Sequence, residues 1–211
     1  MTLEDQLTEG LEALSLDFSA TQTQHCIDYV ALLLKWNKAY NLTAIRDPHA
    51  IITKHLLDSL TLQPYLVGSQ ILDVGTGAGL PGIPLAIAEP SKHFTLLDGN
   101  GKKIRFVRQV AIELGLTNVE AIHSRIEALQ GTCFSTITTR AFSALSDMHI
   151  IKPDLLTPEG VLLAMKGVLS DTDNTPPEAY TLSRTQPLRV PGLQAERHVL
   201  VLQPKQSTER V

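Results

Sequence analysis

The chain of 211 residues lacks the marks of secreted, membrane-embedded and zinc-binding proteins. Its two cysteines, Cys26 and Cys133, lie far apart and form no C-x-x-C pair. This number and spacing argue against a disulfide framework and a zinc site, and they fit a reducing compartment. No apolar run reaches the roughly 20 residues of a membrane-spanning helix. Because the acidic start MTLEDQLTEG is unlike a signal peptide, we expect a cytoplasmic protein with no membrane or metal partner.

An excess of positive charge is also missing. Lys and Arg number 18 against 22 Asp and Glu, which gives a net charge of −4. The average charge predicts no nucleic-acid partner, although local clusters of basic residues can still bind one. Each of the two clusters here could also be a solvated helix face. The first comprises Lys102, Lys103, Arg105 and Arg108, and the second comprises Lys35, Lys38, Arg46 and Lys54.

Residues 1–66 have the periodicity of helices and show no strand pattern. Apolar residues at helical spacing form one face that consists of Tyr29, Leu33, Trp36 and Tyr40. Asp47 before Pro48 is typical of an N-cap and a first helical residue. Hydrophobic residues make up 43% of the chain, which is enough for a core. We expect a helical extension over 1–66 and a second domain over 67–211.

From residue 70 onward, strands alternate with helices. The predicted strands are Ile71–Val74, His93–Asp98, Asn118–His123, Phe134–Arg140, Gly160–Gly167 and Arg197–Lys205. Helices are predicted from Pro81 or Pro84, over 102–115 and near Ile126. This alternation predicts an α/β fold with a doubly wound, mostly parallel sheet. Residues 168–192, rich in Pro, Thr and Asp, are interpreted as a loop that could include one strand.

The first predicted strand runs into a glycine-rich turn, LDVGTGAGLPGIPLA, which contains Gly75, Gly77 and Gly79. Glycines at such a turn allow a tight bend and the close approach of a ligand to the main chain. Asp98 ends the second strand at about the 20-residue spacing from which an acid binds ribose hydroxyls. The pattern therefore predicts a ligand with a nucleoside, and the alternative is a tight turn without a ligand.

Two ligands that contain a nucleoside, NAD and S-adenosylmethionine, are candidates for this turn. Gly77, Gly79 and Gly82 satisfy the G-x-G-x-x-G fingerprint of NAD enzymes. However, few residues follow the fifth strand, too few for a second mononucleotide half and a substrate domain, and Asp73 would repel a pyrophosphate. The ammonium group of S-adenosylmethionine suits Asp73 better. We therefore predict S-adenosylmethionine as the ligand, with a cap of the turn or helix as the alternative role of Asp73.

Specific motifs extend beyond the glycine turn. Seven occur in order between Leu34 and Gly167, with AERHVLV further on: WNKAYNLTAIRDP, HLLDSL, LDVGTGAGLPGIPLA, LLDGNGKKIRF, SRIEAL, TRAF and AMKG. Together they resemble the bacterial small-subunit ribosomal RNA guanine-N7 methyltransferase family, also called glucose-inhibited division protein B. The glycine motif alone would indicate only a class I methyltransferase, whereas WNKAYNLTAIRDP and GLPGIPLA are much more specific. The pair Asn100-Gly101 departs from the family's usual loop.

The resemblance implies a Rossmann-like class I methyltransferase domain behind a helical extension. It implies S-adenosylmethionine as donor, S-adenosylhomocysteine as product, and N7 of a guanine in the 530 loop of 16S ribosomal RNA as acceptor. The RNA would be presented within a small ribosomal subunit or its precursor. Carried over from the family, the cofactor contacts are Gly75, Leu80, Ile126, Glu127 and Arg140.

The TRAF segment after the fourth strand agrees with an N7 acceptor, because it lacks the Asn or Asp that holds an exocyclic amine. Guanine N7 carries a free lone pair and no proton at neutral pH. Transfer then needs no general base, and alignment supplies the rate. We expect Phe142 to stack on the base, and Arg140 or Lys166 to hold a base oxygen or a phosphate. The alternatives are core packing for Phe142 and a structural salt bridge for Arg140.

His55 and Asp58 lie one helical turn apart, like an acid–base pair. Since the chemistry needs no base, we interpret them as an interdomain contact near the cofactor. Two other functions stay open at this point: a class I methyltransferase with a small-molecule or protein acceptor, and a nucleotide-binding module without catalysis. The basic clusters and the specific motifs favour the RNA enzyme over both.

Overall fold

The computed structural model describes residues 1–140, 142 and 144–205. Its seven-stranded sheet has the order β3-β2-β1-β4-β5-β7-β6. The strands are β1 (Gln70–Val74), β2 (His93–Asp98), β3 (Val119–His123), β4 (Phe134–Thr139), β5 (Leu156–Lys166), β6 (Tyr180–Pro187) and β7 (His198–Pro204). Strands β1 to β5 pair in parallel, and β7 runs antiparallel to both β5 and β6. The predicted mostly parallel α/β sheet is confirmed.

The strand that the sequence did not place is β6. It lies at the edge of the sheet that the described residues form, and it pairs there with β7. Most of its residues are exposed, and the segment YTLSRTQP alternates too weakly to be recognised by hydrophobic periodicity. The largest difference in strand bounds is at β5, which begins at Leu156, before the predicted Gly160.

Helices account for most of residues 1–66. They are α1 (Leu3–Ala13), α2 (Ala20–Tyr40), α3 (Pro48–Ile51), a π-helical segment (Ile52–Leu57), α4 (Asp58–Leu60) and a 3-10 turn (Gln63–Tyr65). The predicted N-cap of α3 is confirmed, because Oδ2 of Asp47 accepts a hydrogen bond from the amide of Ala50 at 2.7 Å. This cap sets the direction in which the chain enters the segment that carries His55 and Asp58.

Two α-helices follow β1 and β2 directly: α5 (Gly82–Ala88), which begins just after Pro81, and α6 (Gly101–Glu113). Gly115 ends the turn after α6 with φ of +63°. Short 3-10 turns complete the described connections, at Ile126–Ala128, Leu145–Ile150, Pro153–Leu155 and Asp171–Asn174. Across the described residues, the helices are too short or too polar to span a bilayer.

The two faces of the sheet bury different partners. Along β5, Val161 and Leu163 face one way and Leu162 and Ala164 the other, as the two-residue period of a strand requires. The first face packs against α1, α2, α5 and α6, and the second packs against Leu145, Met148, Ile151 and Tyr180. The N-terminal helices therefore share one hydrophobic core with the sheet. A boundary between domains at residues 66 and 67 stays a prediction.

Candidate active site

The loop after β1 turns through three glycines with positive φ, at +70° for Gly75, +60° for Gly77 and +85° for Gly79. Side chains with a Cβ avoid this region. A Cβ on Gly79 would lie 2.5 Å from Cγ1 of Ile83, so glycine also lets the loop pack closely against α5. At Gly77 the nearest non-adjacent atom to such a Cβ is the Gly75 carbonyl oxygen at 3.9 Å, which leaves that side of the loop open.

Asp98 joins this loop to the end of β2. Its Oδ2 accepts a hydrogen bond from the amide of Gly77 at 2.9 Å, and its Oδ1 accepts one from the amide of Asn100 at 2.8 Å. Each carboxylate oxygen has two acceptor sites, so Asp98 keeps capacity for further donors. The residue predicted to bind ribose hydroxyls is thereby fixed beside the glycine loop.

A cavity of about 630 Å³ opens at the carboxyl ends of β1, β2, β3 and β4. Its volume falls within the roughly 300–1,000 Å³ of small-molecule sites, and its position is the usual ligand position of open α/β sheets. The sequence-predicted residues in its lining are Gly75, Asp98, Lys103, Ile126, Glu127 and Phe142. Eight further residues, which the sequence prediction did not include in the site, also line the cavity: Val74, Leu97, Gly99, Asn100, Gly101, Ser124, Arg125 and Ile150.

Asp73 is buried under the glycine loop, with 1% of its surface exposed. Its Oδ2 accepts hydrogen bonds from the Thr76 hydroxyl at 2.6 Å and the Gly82 amide at 3.0 Å, and its Oδ1 accepts one from the Thr138 hydroxyl at 3.2 Å. Burial raises the pKa of Asp73 to about 6, against these hydrogen bonds. The contacts favour the role of a cap, the alternative that the sequence left open, and a contact with the cofactor's ammonium group stays a prediction.

Arg140 directly follows β4 and faces the N-terminal helices. Its Nη1 lies 3.5 Å from Oδ2 of Asp58, and Oδ1 of Asp58 accepts a hydrogen bond from Nε of Arg197 at 2.9 Å. The alternative offered for Arg140, an ion pair, is therefore present. Yet Nη1 is buried and makes no hydrogen bond to any described residue. Sequence reasoning missed Arg197, for which the only signal was the AERHVLV motif.

His55 lies near this cluster and contacts neighbours other than Asp58. Its Nε2 lies 2.8 Å from the Thr43 hydroxyl, and its Nδ1 lies 2.9 Å from the Lys54 carbonyl oxygen. Burial, followed by the charge of Arg140, lowers the pKa of His55 to about 4, so the ring is neutral at neutral pH. Asp58 makes the contact between the N-terminal helices and the sheet that the sequence predicted for the pair.

Phe142 and Lys166 lie at the ends of neighbouring strands. Phe142 lines the cavity and also packs against the buried residues of the second face, so both roles weighed for it have support. Nζ of Lys166 is 2.9 Å from Oδ1 of Asp173 and donates a hydrogen bond to the carbonyl oxygen of Phe142 at 3.3 Å. Lys166 therefore holds the main chain of Phe142 at the cavity wall.

Two lysines of the first basic cluster, Lys102 and Lys103, point in different directions. Lys102 is exposed at the start of α6, whereas Lys103 lines the cavity with its Nζ 3.7 Å from Oδ2 of Asp98. Successive helical residues point about 100° apart, which explains the separation.

The two arginines of this cluster are exposed but have protein partners. Arg105 donates a hydrogen bond to the Tyr40 hydroxyl at 3.2 Å, and Arg108 donates from Nε and Nη2 to the Ala121 carbonyl oxygen at 3.1 and 3.0 Å. Arg105 thus links α6 to α2, near the second basic cluster. Their proposed RNA contacts stay predictions.

The sheet order and the glycine-loop cavity define a class I S-adenosylmethionine-dependent methyltransferase. Solved structures with this fold include the mitomycin 7-O-methyltransferase MmcR, with a TM-score of 0.60 and 12% identity over 83% of this chain and 60% of that chain. A SAM-dependent methyltransferase from Aquifex aeolicus has a TM-score of 0.55 and 17% identity over 74% of this chain and 93% of that one.

Residues 22–200 match the family model GidB, described as rRNA small subunit methyltransferase G. The Alteromonas mediterranea protein named Ribosomal RNA small subunit methyltransferase G is 47% identical over 211 residues, covering 97% of this chain and all of that relative. The chain belongs to the rRNA small subunit methyltransferase G family and is an S-adenosylmethionine-dependent rRNA methyltransferase. The resemblance found in the sequence motifs is confirmed.

Proposed function

We propose that the chain methylates N7 of a guanine in the 530 loop of 16S ribosomal RNA and releases S-adenosylhomocysteine. The observation that supports this proposal is the set of side chains at the ends of β4 and β5. Arg140, Phe142 and Lys166 lie there, and the nearest carboxylates, those of Asp58 and Asp173, are in ion pairs with basic residues. Such a site can align a lone-pair acceptor, whereas the carboxylates of Asp58 and Asp173 are engaged in ion pairs rather than open to an exocyclic amine.

The residues present fit S-adenosylmethionine, which supplies a methyl group activated by its sulfonium. Asp98 would hold the ribose hydroxyls, and Gly75, Leu80, Ile126 and Glu127 would complete the family contacts. The cavity at the carboxyl ends of β1 to β4, whose lining includes Gly75, Asp98, Ile126 and Glu127, supports this fit. The partly exposed side chain of Arg140 would bind a cofactor carboxylate, guanine O6 or an RNA phosphate.

We also propose that the acceptor is a small ribosomal subunit or its precursor, which places the protein in the cytoplasm. The net charge of −4 predicts weak binding to naked RNA, while a folded particle can be recognised by shape. In this proposal residues 1–66 extend the RNA surface of the 67–211 domain. The exposed basic residues that would do so are Lys35, Lys38, Arg46 and Lys54.

Nucleoside digests test this function. Isolated 16S RNA, precursor particles and small subunits that lack the modification are incubated with the chain and labelled S-adenosylmethionine, then digested and analysed by mass spectrometry. We expect label in N7-methylguanosine, with a particle as the best substrate. Label in an exocyclic amine, a pyrimidine carbon or a ribose would refute the proposed acceptor.

The rate of single-turnover methylation should be flat across neutral pH. Guanine N7 has no proton to remove, and His55 is already neutral because its pKa is lowered to about 4. The profile of a His55→Ala variant should therefore keep the same shape, even if its overall rate changes. A steep rise with pH in the wild type that disappears in His55→Ala would show that a general base takes part.

Charge reversal should separate Lys102 from Lys103. Lys102→Glu should weaken use of the RNA and reduce the slope of log affinity against log salt by about 1, with unchanged affinity for S-adenosylhomocysteine. Lys103→Glu should also lower the cofactor affinity, because it puts a second carboxylate beside Asp98. Lys205→Glu is the control. Lys205 is exposed and follows the antiparallel strand β7, so it lies at the end of the sheet away from the cavity. Equal salt slopes for Lys102→Glu and this control would show that Lys102 is a solvated side chain without an RNA contact.

A further inference from the structure

Asp58 brings a charge from the N-terminal helices to the carboxyl edge of the sheet. It begins α4 directly after the π-helical segment, and only 2% of its surface is exposed. One carboxylate faces two arginines there: Arg140 after β4 and Arg197 before β7. A carboxylate buried this deeply is tolerated only with such partners.

The two arginines contact Asp58 in different ways. Arg197 donates from Nε to Oδ1 at 2.9 Å and from Nη1 to the Glu196 carbonyl oxygen at 2.8 Å, so both nitrogens are hydrogen-bonded. The nearest approach of Arg140 is 3.5 Å, and its buried Nη1 makes no hydrogen bond within the described part of the chain. Arginine and a carboxylate frequently form two parallel hydrogen bonds. Asp58 instead faces Nη1 of Arg140 at ion-pair distance without a hydrogen bond, and 26% of the Arg140 side chain stays exposed.

The other titratable groups around Arg140 are poorly placed to hold it. His55 is neutral at neutral pH, and Tyr29 donates its hydroxyl proton to the Ala78 carbonyl oxygen at 2.8 Å. Asp73 is engaged by the glycine loop and by Thr138. Among the described residues, Asp58 is the carboxylate within 4 Å of the guanidinium.

We propose that Asp58 is a positioning residue of the active site, which holds Nη1 of the Arg140 guanidinium at the end of β4 and so directs the exposed part of that side chain toward the cofactor or acceptor. Arg197 holds Asp58 in place through the hydrogen bond to Oδ1. This inference rests on the proposed role of Arg140. It assigns residues 1–66 a second task besides RNA binding, which is to supply a charged side chain to the methyl-transfer site.

The test is a double-variant cycle on methyl transfer. Asp58→Asn keeps the size of the side chain and an oxygen for Arg197, and removes the charge that attracts Arg140. The single-turnover rate should fall about 10- to 100-fold, the range expected for a misplaced aligning group. If Asp58→Asn also weakens cofactor binding, the ratio of its effect on affinity to its effect on rate should equal the ratio measured for Arg140→Ala. The double variant should be no slower than Arg140→Ala alone, because both changes remove one interaction.

Asp47→Asn is the matched control, since asparagine also caps helices and this side chain lies away from the cavity. Losses that multiply in the double variant, or an Asp58→Asn protein with the wild-type rate, would overturn the inference. If Asp58→Asn does not fold, the Arg197→Lys variant replaces it in the test. Losing the Nε donor should lower the rate by a smaller factor, and combining Arg197→Lys with Arg140→Ala should lower the rate no further than Arg140→Ala alone. Full activity of Arg140→Ala would refute the proposed role of Arg140 itself.

Discussion

Arg140→Ala is expected to lower the single-turnover rate of methyl transfer by about 100-fold. Without a general base, the rate depends on how well the methyl donor and guanine N7 are aligned, which is the role proposed for Arg140 at the end of β4. Asp58 faces Nη1 of Arg140 at 3.5 Å, while 26% of the Arg140 side chain stays exposed and is open to a ligand. Arg140→Lys keeps the charge but loses the planar fork, and should recover only part of the rate.

This experiment needs a control for stability as well as for charge. Removing Arg140 leaves Asp58 with Arg197 alone, so the thermal unfolding midpoint is measured for each variant. Arg184→Ala removes an exposed arginine from the edge strand β6 and should change neither rate nor midpoint appreciably. A folded Arg140→Ala protein with the wild-type rate would leave Arg140 with a structural ion pair only.

Gly77→Val is expected to abolish measurable binding of S-adenosylhomocysteine in calorimetry while the chain stays folded. The φ of +60° strains a β-branched residue by about 1–3 kcal/mol. The new side chain would also stand on the open side of the loop and disturb the amide that donates to Asp98. NAD should bind far more weakly than S-adenosylhomocysteine to the wild-type chain.

Gly115→Val separates backbone strain from loss of the site. Gly115 has nearly the same φ, +63°, and a Cβ there would meet no described atom within 4 Å. Because it follows α6 away from the cavity, its substitution should reduce stability like Gly77→Val but preserve the affinity. Unchanged affinity in a folded Gly77→Val protein would remove the glycine loop from the cofactor site.

The features predicted best from sequence are those with local signals. The spacing between Asp98 and the glycine turn predicts that the two serve one ligand, and the structure joins Asp98 to the Gly77 amide by a hydrogen bond of 2.9 Å. The role of Asp73 was not decided by its motif, because an ammonium partner and a cap need the same acidic residue. Three hydrogen bonds now favour the cap, which needs the tertiary neighbour Thr138 as well as the loop.

Long-range pairs had no sequence signal. Asp58 and Arg197 are 139 residues apart, and nothing in the periodicity around either residue predicts that they meet. Lys166 was expected at the acceptor, yet its ion pair with Asp173 depends on a loop whose course the sequence did not show. Lys102 and Lys103 form one cluster in the sequence, but their successive positions on α6 point the two side chains in different directions.

A map of N7-methylguanine in 16S ribosomal RNA, from cells with and without the gene for this chain, tests the proposed reaction most directly. We predict one methylated guanine in the 530 loop that is lost on deletion, restored by the gene for the Gly115→Val variant and not restored by Arg140→Ala. A map unchanged by the deletion, or loss of a methyl group from another atom or another RNA, would contradict the account.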